Sequence, residues 1–251
     1  MINKTIKEYI DINLLSKYNE DESLKFIAFD LSLNHLVIVL ADSKNIYYKN
    51  KIILPRDRAG ILFNNLQNII DEFDINFSSL DLLLSTIGPG NFNGIRISLS
   101  VIKGIAISNN TKIAGISSLE AISRSVSNHN NKFICSIIKA SPGFYYLEFF
   151  DQYNKSILKP NIINIEEGIM LPELDKNVIL VGNDADYIAD KINFKGELYN
   201  IESPSCESLF LSAKESIKNN IYRAVSPMYL REVNAKEPSL WKNPPTVIND
   251  K

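Results

Sequence analysis

The chain has few of the residues that build disulfide frameworks, metal clusters or redox sites. It contains only two cysteines, two histidines and one tryptophan in 251 residues. Cys135 and Cys206 form no CxxC pair, so the sequence indicates no disulfide framework, and a reduced, cytoplasmic setting is expected. His35 and His129 are too far apart in sequence to form an HxxxH or HExxH pair on one helix. These absences argue against a helix-borne metal site.

The chain also lacks a long apolar run and an excess of charge of one sign. No segment approaches the roughly 20 apolar residues that a membrane-spanning helix needs, so we expect no membrane contact. The formal net charge is −2, so no overall basic field attracts nucleic acid, although a local patch stays compatible with this balance. A composition with 45% hydrophobic residues is typical of a globular protein with one large domain or two lobes.

The same order of predicted strands and helices occurs twice along the chain. Polar turns separate three short strands, Phe26–Asp30, Leu36–Ala41 and Ile46–Leu54, and alternating helices and strands follow. A second set of three strands begins near Lys132, and further alternation follows it. This duplication predicts an α/β fold with two lobes. The predicted divisions are an N-terminal extension (1–24), a first lobe (25–116), a second lobe (117–232) and a C-terminal tail (233–251).

A glycine-proline-glycine turn precedes the most apolar helix of the sequence. Gly88 and Gly94 are one residue too far apart for a phosphate-binding P-loop, and Ile95-Arg96 stands where Lys-Ser/Thr would be needed. The spacing GxGxxxG also fails the dinucleotide fingerprint. Specific nucleotide binding is therefore not the favoured interpretation of this turn.

Catalytic signatures are equally scarce. The sequence has no GxSxG elbow, and Cys135 lies in an apolar strand where a small core residue is expected. Asp30, at the end of the first strand, is the best isolated carboxylate. It faces a cleft between lobes or caps a turn, and the sequence does not choose between these roles. Lys139 occupies the corresponding place in the second half, and a purely structural role is an equally good interpretation of it.

The helix after the turn carries apolar residues on two faces. We expect Asn93 to cap its start and Asn109-Asn110 to end it. A surface helix needs one apolar face, whereas a helix with two must be covered twice, by its own domain or by a partner. The physical argument alone does not decide between burial within the domain and burial by a partner. The two stripes are Ile95, Leu99, Ile102 and Ala106 on one side, and Ile97, Val101, Ile105 and Ser108 on the other.

Several segments resemble the bacterial TsaB family, formerly called YeaZ. "GPGNFNGIRISLSVIKGIA" followed by "AGISSLEAIS" is similar to the family signature, which reads approximately GPGSFTGLRIGLATAKGLA and then G(V/I)SSLEA. Weaker agreements are "FIAFDLS", "RDRAGILFNNLQNII", "VGNDA" and "SPMYLR". The resemblance runs from Lys25 to Arg231, so the first 24 residues and the tail lie outside it. Three departures are Leu31 in the opening motif, Arg58 in place of a common histidine, and "KASPGFYY" in place of a DAR-type segment.

The resemblance implies an actin-like, Hsp70-like, sugar-kinase-like (ASKHA) fold and a subunit that is not itself the catalyst. The family pairs with a catalytic paralogue, TsaD, which transfers a threonylcarbamoyl group to the adenosine next to the tRNA anticodon. A small ATPase, TsaE, joins the complex. By this resemblance ATP and metal belong to the partner subunits, this chain carries no cofactor, and tRNA is met through the complex.

The family's first two helices bind TsaD, and here they correspond to about 58–73 and 93–108. The residues predicted for this contact are Leu62, Leu66, Ile69, Ile95, Leu99, Ile102 and Ala106, and Gly88, Pro89, Gly90 and Gly94 are predicted to form a structural turn. Without TsaD the same surface is expected to form a homodimer, because a two-fold contact reuses one patch. The competing hypothesis is an independent ATP-dependent, kinase-like enzyme of this fold, with Asp30 near a metal-bound phosphate.

Overall fold

Two five-stranded sheets form the body of the protein. The computed structural model describes residues 24–126, 132–167, 177–219 and 222–230. The N-terminal extension up to residue 23, His129 and the tail with Trp241 lie outside the described residues. The fold prediction therefore concerns the two lobes, and both are present.

The first sheet combines an antiparallel meander with two parallel strands. Its spatial order is β3-β2-β1-β4-β5, with β1 antiparallel to β2 and parallel to β4. Strands β1 and β4 are buried along their whole length, as strands covered on both faces must be, and their sequences are correspondingly apolar. The strands are β1 (Phe26–Asp30), β2 (His35–Ala41), β3 (Ile46–Ile53), β4 (Leu82–Gly88) and β5 (Lys112–Ser117).

The second sheet repeats the arrangement of the first. Its order is β10-β9-β6-β7-β8, so each half places its first three strands as a meander and adds parallel strands beside the first of them. This correspondence confirms the duplicated α/β architecture predicted from element order. The strands are β6 (Phe133–Ser141), β7 (Phe144–Phe150), β8 (Ser156–Asn164), β9 (Val178–Gly182) and β10 (Glu197–Asn200).

Helices cover both faces of each sheet. Helices α1 (Arg58–Phe73) and α2 (Phe92–Asn109) pack on one face of the first sheet. Helix α3 (Ser118–Ser123) packs on the second sheet at its junction with the first, and α4 (Ala185–Lys191) covers that sheet's other face. Short 3-10 turns at Phe77–Ser79 and Ile165–Glu167 complete the connections.

The last described helix returns to the first lobe. Helix α5 (Cys206–Lys218) buries Leu209 and Ala213 against the free face of the first sheet, and Phe210 stacks on Phe26 with ring centroids 6.2 Å apart. The division by sequence assigned this segment to the second lobe. Packing assigns it to the first, because β1 and β4 are apolar on both faces and the second face needs a cover.

Helix caps agree with the sequence in type but not always in position. Asn91, rather than Asn93, caps α2, and its Oδ1 accepts a hydrogen bond of 2.9 Å from the amide of Gly94. Asn110 ends the helix in the left-handed conformation, with φ of 56°. The expectation for Asn93 was therefore wrong by two residues, because the helix starts at Phe92, two residues before the start that a cap at Asn93 would give.

Candidate partner-binding surface

The glycine turn holds the start of α2 against the β1–β2 turn. Gly88 and Gly90 have φ values of 101° and 155°, and Pro89 joins them through a cis peptide bond from Gly88. A Cβ at Gly94 would lie 1.9 Å from the carbonyl oxygen of Leu31, and one at Gly90 would lie 2.3 Å from that of Ser32. These glycines allow backbone segments to approach closely. The contacts of the turn are with the chain's own backbone, as a structural turn requires.

The stripe predicted to contact a partner lies inside the first lobe. Its residues are buried between the two helices and the sheet, and none is more than 4% exposed: Leu62, Leu66, Ile69, Ile95, Leu99, Ile102 and Ala106. A partner cannot reach them in this fold. The choice of stripe is therefore corrected. Each helix buries its most apolar face against its own sheet, because burial of that apolar area stabilises the fold itself. The role of the helices in partner binding stays a prediction.

The opposite faces of α1 and α2 leave an open apolar groove. This groove has a volume of about 610 Å³, and the second stripe of α2 forms one of its walls. Phe63 of α1 is 55% exposed beside the groove. Ile107 of α2 is 65% exposed. The excess of apolar residues predicted for α2 is therefore present. The lining residues are Ala59, Phe63, Phe77, Arg96, Ile97, Ser100, Val101, Gly104, Ile105, Ser108 and Asn109.

The floor of the groove is shaped for close approach by an apolar group. Ser100, Gly104 and Ser108 recur every four residues along α2 and so lie on one side of the helix. A Cβ built on Gly104 would meet no atom within 4 Å. Small residues at this spacing let a helix or a large side chain come near the α2 backbone.

An aromatic and cationic cluster closes one end of the groove. The guanidinium of Arg96 lies 4.8 Å from the ring centroid of Phe92, and Phe92 stacks on Tyr229 with centroids 5.6 Å apart. Arg96 also lines the groove, so this cluster, defined by these three residues, is continuous with it. Exposed aromatic and arginine side chains next to an apolar groove are typical anchors of protein interfaces.

Asp30 acts as a buried cap of the turn that follows β1. Its Oδ1 accepts hydrogen bonds from the amide of Ser32 (2.8 Å), from Ser32 Oγ (2.6 Å) and from Thr86 Oγ1. Burial raises the pKa of this carboxyl, and hydrogen bonds from Ser32 and Thr86 partly oppose that shift. Because the residue is fully buried, the contacts match the turn-capping interpretation of Asp30.

Lys139 forms a local ion pair at the corresponding turn of the second lobe. Its Nζ pairs with Asp184, and its amide donates a 2.7 Å hydrogen bond to Asn183 Oδ1. The hydroxyl of Tyr145 donates to the same Asp184 carboxylate at 3.1 Å, and burial, followed by the charge of Asp184, raises the tyrosine pKa. These contacts join β6 to the start of α4, which fits the structural interpretation of Lys139.

Two anchoring arginines escaped prediction from the sequence. Arg58 Nη1 donates to the carbonyls of Leu31 (3.2 Å) and Leu33 (2.9 Å), fixing the β1–β2 turn to the start of α1. Arg223 Nη1 donates to Glu120 Oε2 at 2.6 Å, joining the C-terminal segment to α3. Ser117 and Glu120 have the spacing of a capping box, in which the Glu120 carboxylate would bond back to the backbone amide of Ser117. In the fold the Glu120 amide, but not its carboxylate, bonds to Ser117.

The remaining candidates for chemistry lie apart from one another. Cys135 is buried, and burial raises its thiol pKa to about 12, whereas Cys206 lies on the other lobe. Across residues 24–126, 132–167, 177–219 and 222–230, no group of three or more His, Cys, Asp or Glu side chains could hold a metal ion. Within the same ranges, no helix is long and apolar enough to cross a membrane.

A family model described as "TsaD: tRNA N6-adenosine threonylcarbamoyltransferase" matches residues 54–224, more than half of the chain. The chain belongs to this family. The match begins just before α1 and ends just after Arg223, so it includes both helices of the groove and most of both lobes.

Relatives in sequence and structure agree with the TsaB resemblance. The tRNA threonylcarbamoyladenosine biosynthesis protein TsaB of Buchnera aphidicola subsp. Baizongia pistaciae (strain Bp) is 24% identical, with 82% of this chain and 97% of that protein covered. The protein of the same name from Bacillus subtilis (strain 168) is also 24% identical, with 85% and 96% covered. YeaZ from Pseudomonas aeruginosa superposes with a TM-score of 0.73 at 19% identity, over 82% of this chain and all of that one. The chain groups with TsaB/YeaZ members and shares their fold.

The TsaB signature can now be located in the fold. "GPGNFNGIRISLSVIKGIA" forms the end of β4, the glycine turn and most of α2, and "AGISSLEAIS" forms β5 and α3. Of the departures from the family pattern, Arg58 anchors the β1–β2 turn, and the Lys139–Tyr146 segment forms the β6–β7 hairpin. The signature therefore covers the groove wall, whereas the departures lie at the turns.

Proposed function

We propose that the chain is a non-catalytic TsaB-type subunit that binds and activates TsaD for the threonylcarbamoyladenosine modification of tRNA. The curated relatives carry the name tRNA threonylcarbamoyladenosine biosynthesis protein TsaB, and the family model covers the segment that forms the groove. The observation that carries the proposal is the apolar groove between α1 and α2, in whose wall Ile97 and Ile105 of the second stripe are only partly buried.

The contact surface consists of the outer faces of the two helices. Ile97 and Ile105 form the apolar wall, Gly104 admits a close approach, and Phe63 stands exposed on the facing helix. An exposed patch of this kind between packed helices is typical of an interaction site. TsaD, as a paralogue with equivalent helices, presents the complementary apolar faces for a four-helix contact.

The chemistry belongs to the partners in this proposal. TsaD performs the transfer, TsaE joins as the ATPase, and tRNA meets the chain only within the complex. ATP and metal are bound by those subunits, and this chain supplies a shaped surface. A homodimer through the same patch, expected when TsaD is absent, stays a prediction.

The test is reconstitution with the TsaD of the same organism. Complex formation and restored tRNA threonylcarbamoylation are expected with the parent chain, and both are expected to fail with Ile105→Glu, which places a charge in the groove wall. Ile157→Glu is the matched control, because Ile157 is 49% exposed on the edge strand β8 of the other lobe. Equal binding of TsaD by the parent and by Ile105→Glu would refute the proposed surface.

The kinase-like alternative gains no support from the site. Asp30 is fully buried and its Oδ1 already accepts hydrogen bonds from Ser32 and Thr86. A carboxylate in that state caps a turn and is not presented to a metal-bound phosphate. ATP turnover by the purified chain, lost on Asp30→Asn while the fold is retained, would revive this alternative.

A further inference from the structure

The described chain ends at one mouth of the apolar groove. Met228 packs against the core of the first lobe, and its amide donates a 2.8 Å hydrogen bond to the carbonyl of Ile87. The next residue, Tyr229, stacks on Phe92. Because Arg96 lies over the same Phe92 ring and lines the groove, the chain beyond Leu230 starts within one helical turn of the groove.

The segment that follows carries a single aromatic side chain. Residues 231–251 read "REVNAKEPSLWKNPPTVINDK", in which Trp241, next to Leu240, is the only aromatic residue. Prolines at 238, 244 and 245 disfavour a continuous helix. A proline-flanked tryptophan in an extended segment is the kind of group that binds in an apolar groove, because its indole buries a large area with few rotatable bonds.

The length of the connection matches the groove. Trp241 lies twelve positions after Tyr229, which allows a maximum reach of about 40 Å and a relaxed end-to-end distance of about 20 Å. Gly104 lies eight residues beyond Arg96 on α2, or about 12 Å along the helix axis. The indole can therefore reach the middle of the groove without straining the connection.

We propose that the C-terminal tail folds back, places Trp241 in the groove between α1 and α2, and so competes with the partner subunit for the same surface. The space above Gly104 admits the ring, Ile97 and Ile105 contact its faces, and Arg96 lies at the rim where a cation can meet the indole. The competition with TsaD rests on the proposed function, whereas the docking of the tail does not.

The first test uses the chain alone and its single tryptophan. Because Trp241 is the only tryptophan, intrinsic fluorescence and acrylamide quenching report the exposure of this residue directly. The parent is expected to show blue-shifted emission and weak quenching. Gly104→Arg, which fills the space above α2, is expected to shift the emission to the red and to raise the quenching constant several-fold. Ile157→Glu, on β8, serves as the control and should match the parent.

The same measurement distinguishes other occupants of the groove. Quenching that is strong in the parent, or unchanged by Gly104→Arg, would overturn docking of the tail in the groove. Protection that disappears on dilution would show that the tail docks on a second copy, which overturns the intramolecular form. Circular dichroism of Gly104→Arg should match the parent, and Ile105→Glu provides a second groove variant if it does not.

The second test concerns competition with TsaD. If the groove is free in about one-tenth of molecules, Trp241→Ala and deletion of residues 232–251 should each tighten TsaD binding by on the order of tenfold. An unchanged affinity, with the tail shown to be docked, would overturn the competition. If the parent, Trp241→Ala and the deletion variant all fail to bind TsaD, the proposed function is contradicted. The fluorescence of the chain alone still decides whether the tail docks in the groove.

Discussion

Arg223 and Glu120 join the C-terminal segment to the helix at the junction of the two lobes. Nη1 of Arg223 donates to Oε2 of Glu120 at 2.6 Å, and the Glu120 side chain is only 11% exposed. Arg124 approaches the other carboxylate oxygen at 3.6 Å. One carboxylate thus holds two arginines, and one of them lies more than a hundred residues away in sequence.

Removing Arg223 should destabilise the fold. Arg223→Met leaves the Glu120 carboxylate largely buried with Arg124 alone, and loss of one partner in such a pair costs about 3–5 kcal/mol when fully buried. Because the Arg223 side chain is 31% exposed, we expect about 1–3 kcal/mol in the free energy of unfolding, measured by urea denaturation. Lys49→Ala, which breaks the exposed pair with Glu207, is the control and should produce no measurable change.

A buried and an exposed isoleucine of α2 should respond differently to truncation. Ile102 is fully buried in the first lobe, so Ile102→Ala is expected to lower the free energy of unfolding by about 2–5 kcal/mol. Ile107 is 65% exposed, so Ile107→Ala should change stability by less than about 0.5 kcal/mol. Thermal or urea unfolding of both variants checks this. Equal losses would mean that Ile107 is covered within the monomer.

Two glycines of α2 should behave in opposite ways when replaced by alanine. Gly104 has open space around its Cβ position, so Gly104→Ala should stabilise the chain by about 0.5–1 kcal/mol through helix propensity. Gly94→Ala brings a methyl group 1.9 Å from the carbonyl oxygen of Leu31, and we expect a net loss of stability. Melting temperatures decide the signs. A stable Gly94→Ala variant would refute the close approach of α2 to the β1–β2 turn.

Glu148 should make the free energy of unfolding decrease as pH rises. Burial raises the pKa of this carboxyl, whose surroundings include Arg223, Glu120, Ser117 and Ser156. The folded state therefore holds the proton more tightly than the unfolded state does. Stability contributed by this group is present below the ordinary carboxyl pKa and is lost as pH rises through the raised value.

The replacement Glu148→Gln tests this sign. The variant cannot ionise, so its stability advantage over the parent should grow from about pH 4 to about pH 8, as measured by urea unfolding at each pH. Asp30 also has a raised pKa, and taking the difference between the two proteins removes its contribution. A difference that is constant across this range would contradict the prediction.

The repeated order of strands and helices was legible in the sequence because apolar spacing and turn residues are local properties. The strand Phe26–Asp30 has the predicted bounds, and the helix Arg58–Phe73 agrees with the approximate bounds that the family resemblance implied. The excess of apolar residues on α2 was legible too, because a period of 3.6 residues shows two stripes whatever they pack against.

Which stripe of α2 faces the sheet was decided only by the tertiary structure. Both stripes satisfy the same local pattern, and the choice between Leu99 and Ile105 depends on the shape of β4 and α1, which periodicity does not contain. The return of α5 to the first lobe and the pairing of Arg223 with Glu120 have the same origin. Such contacts join residues distant in sequence, and their energy comes from burial and charge neutralisation that exist only once the chain has folded.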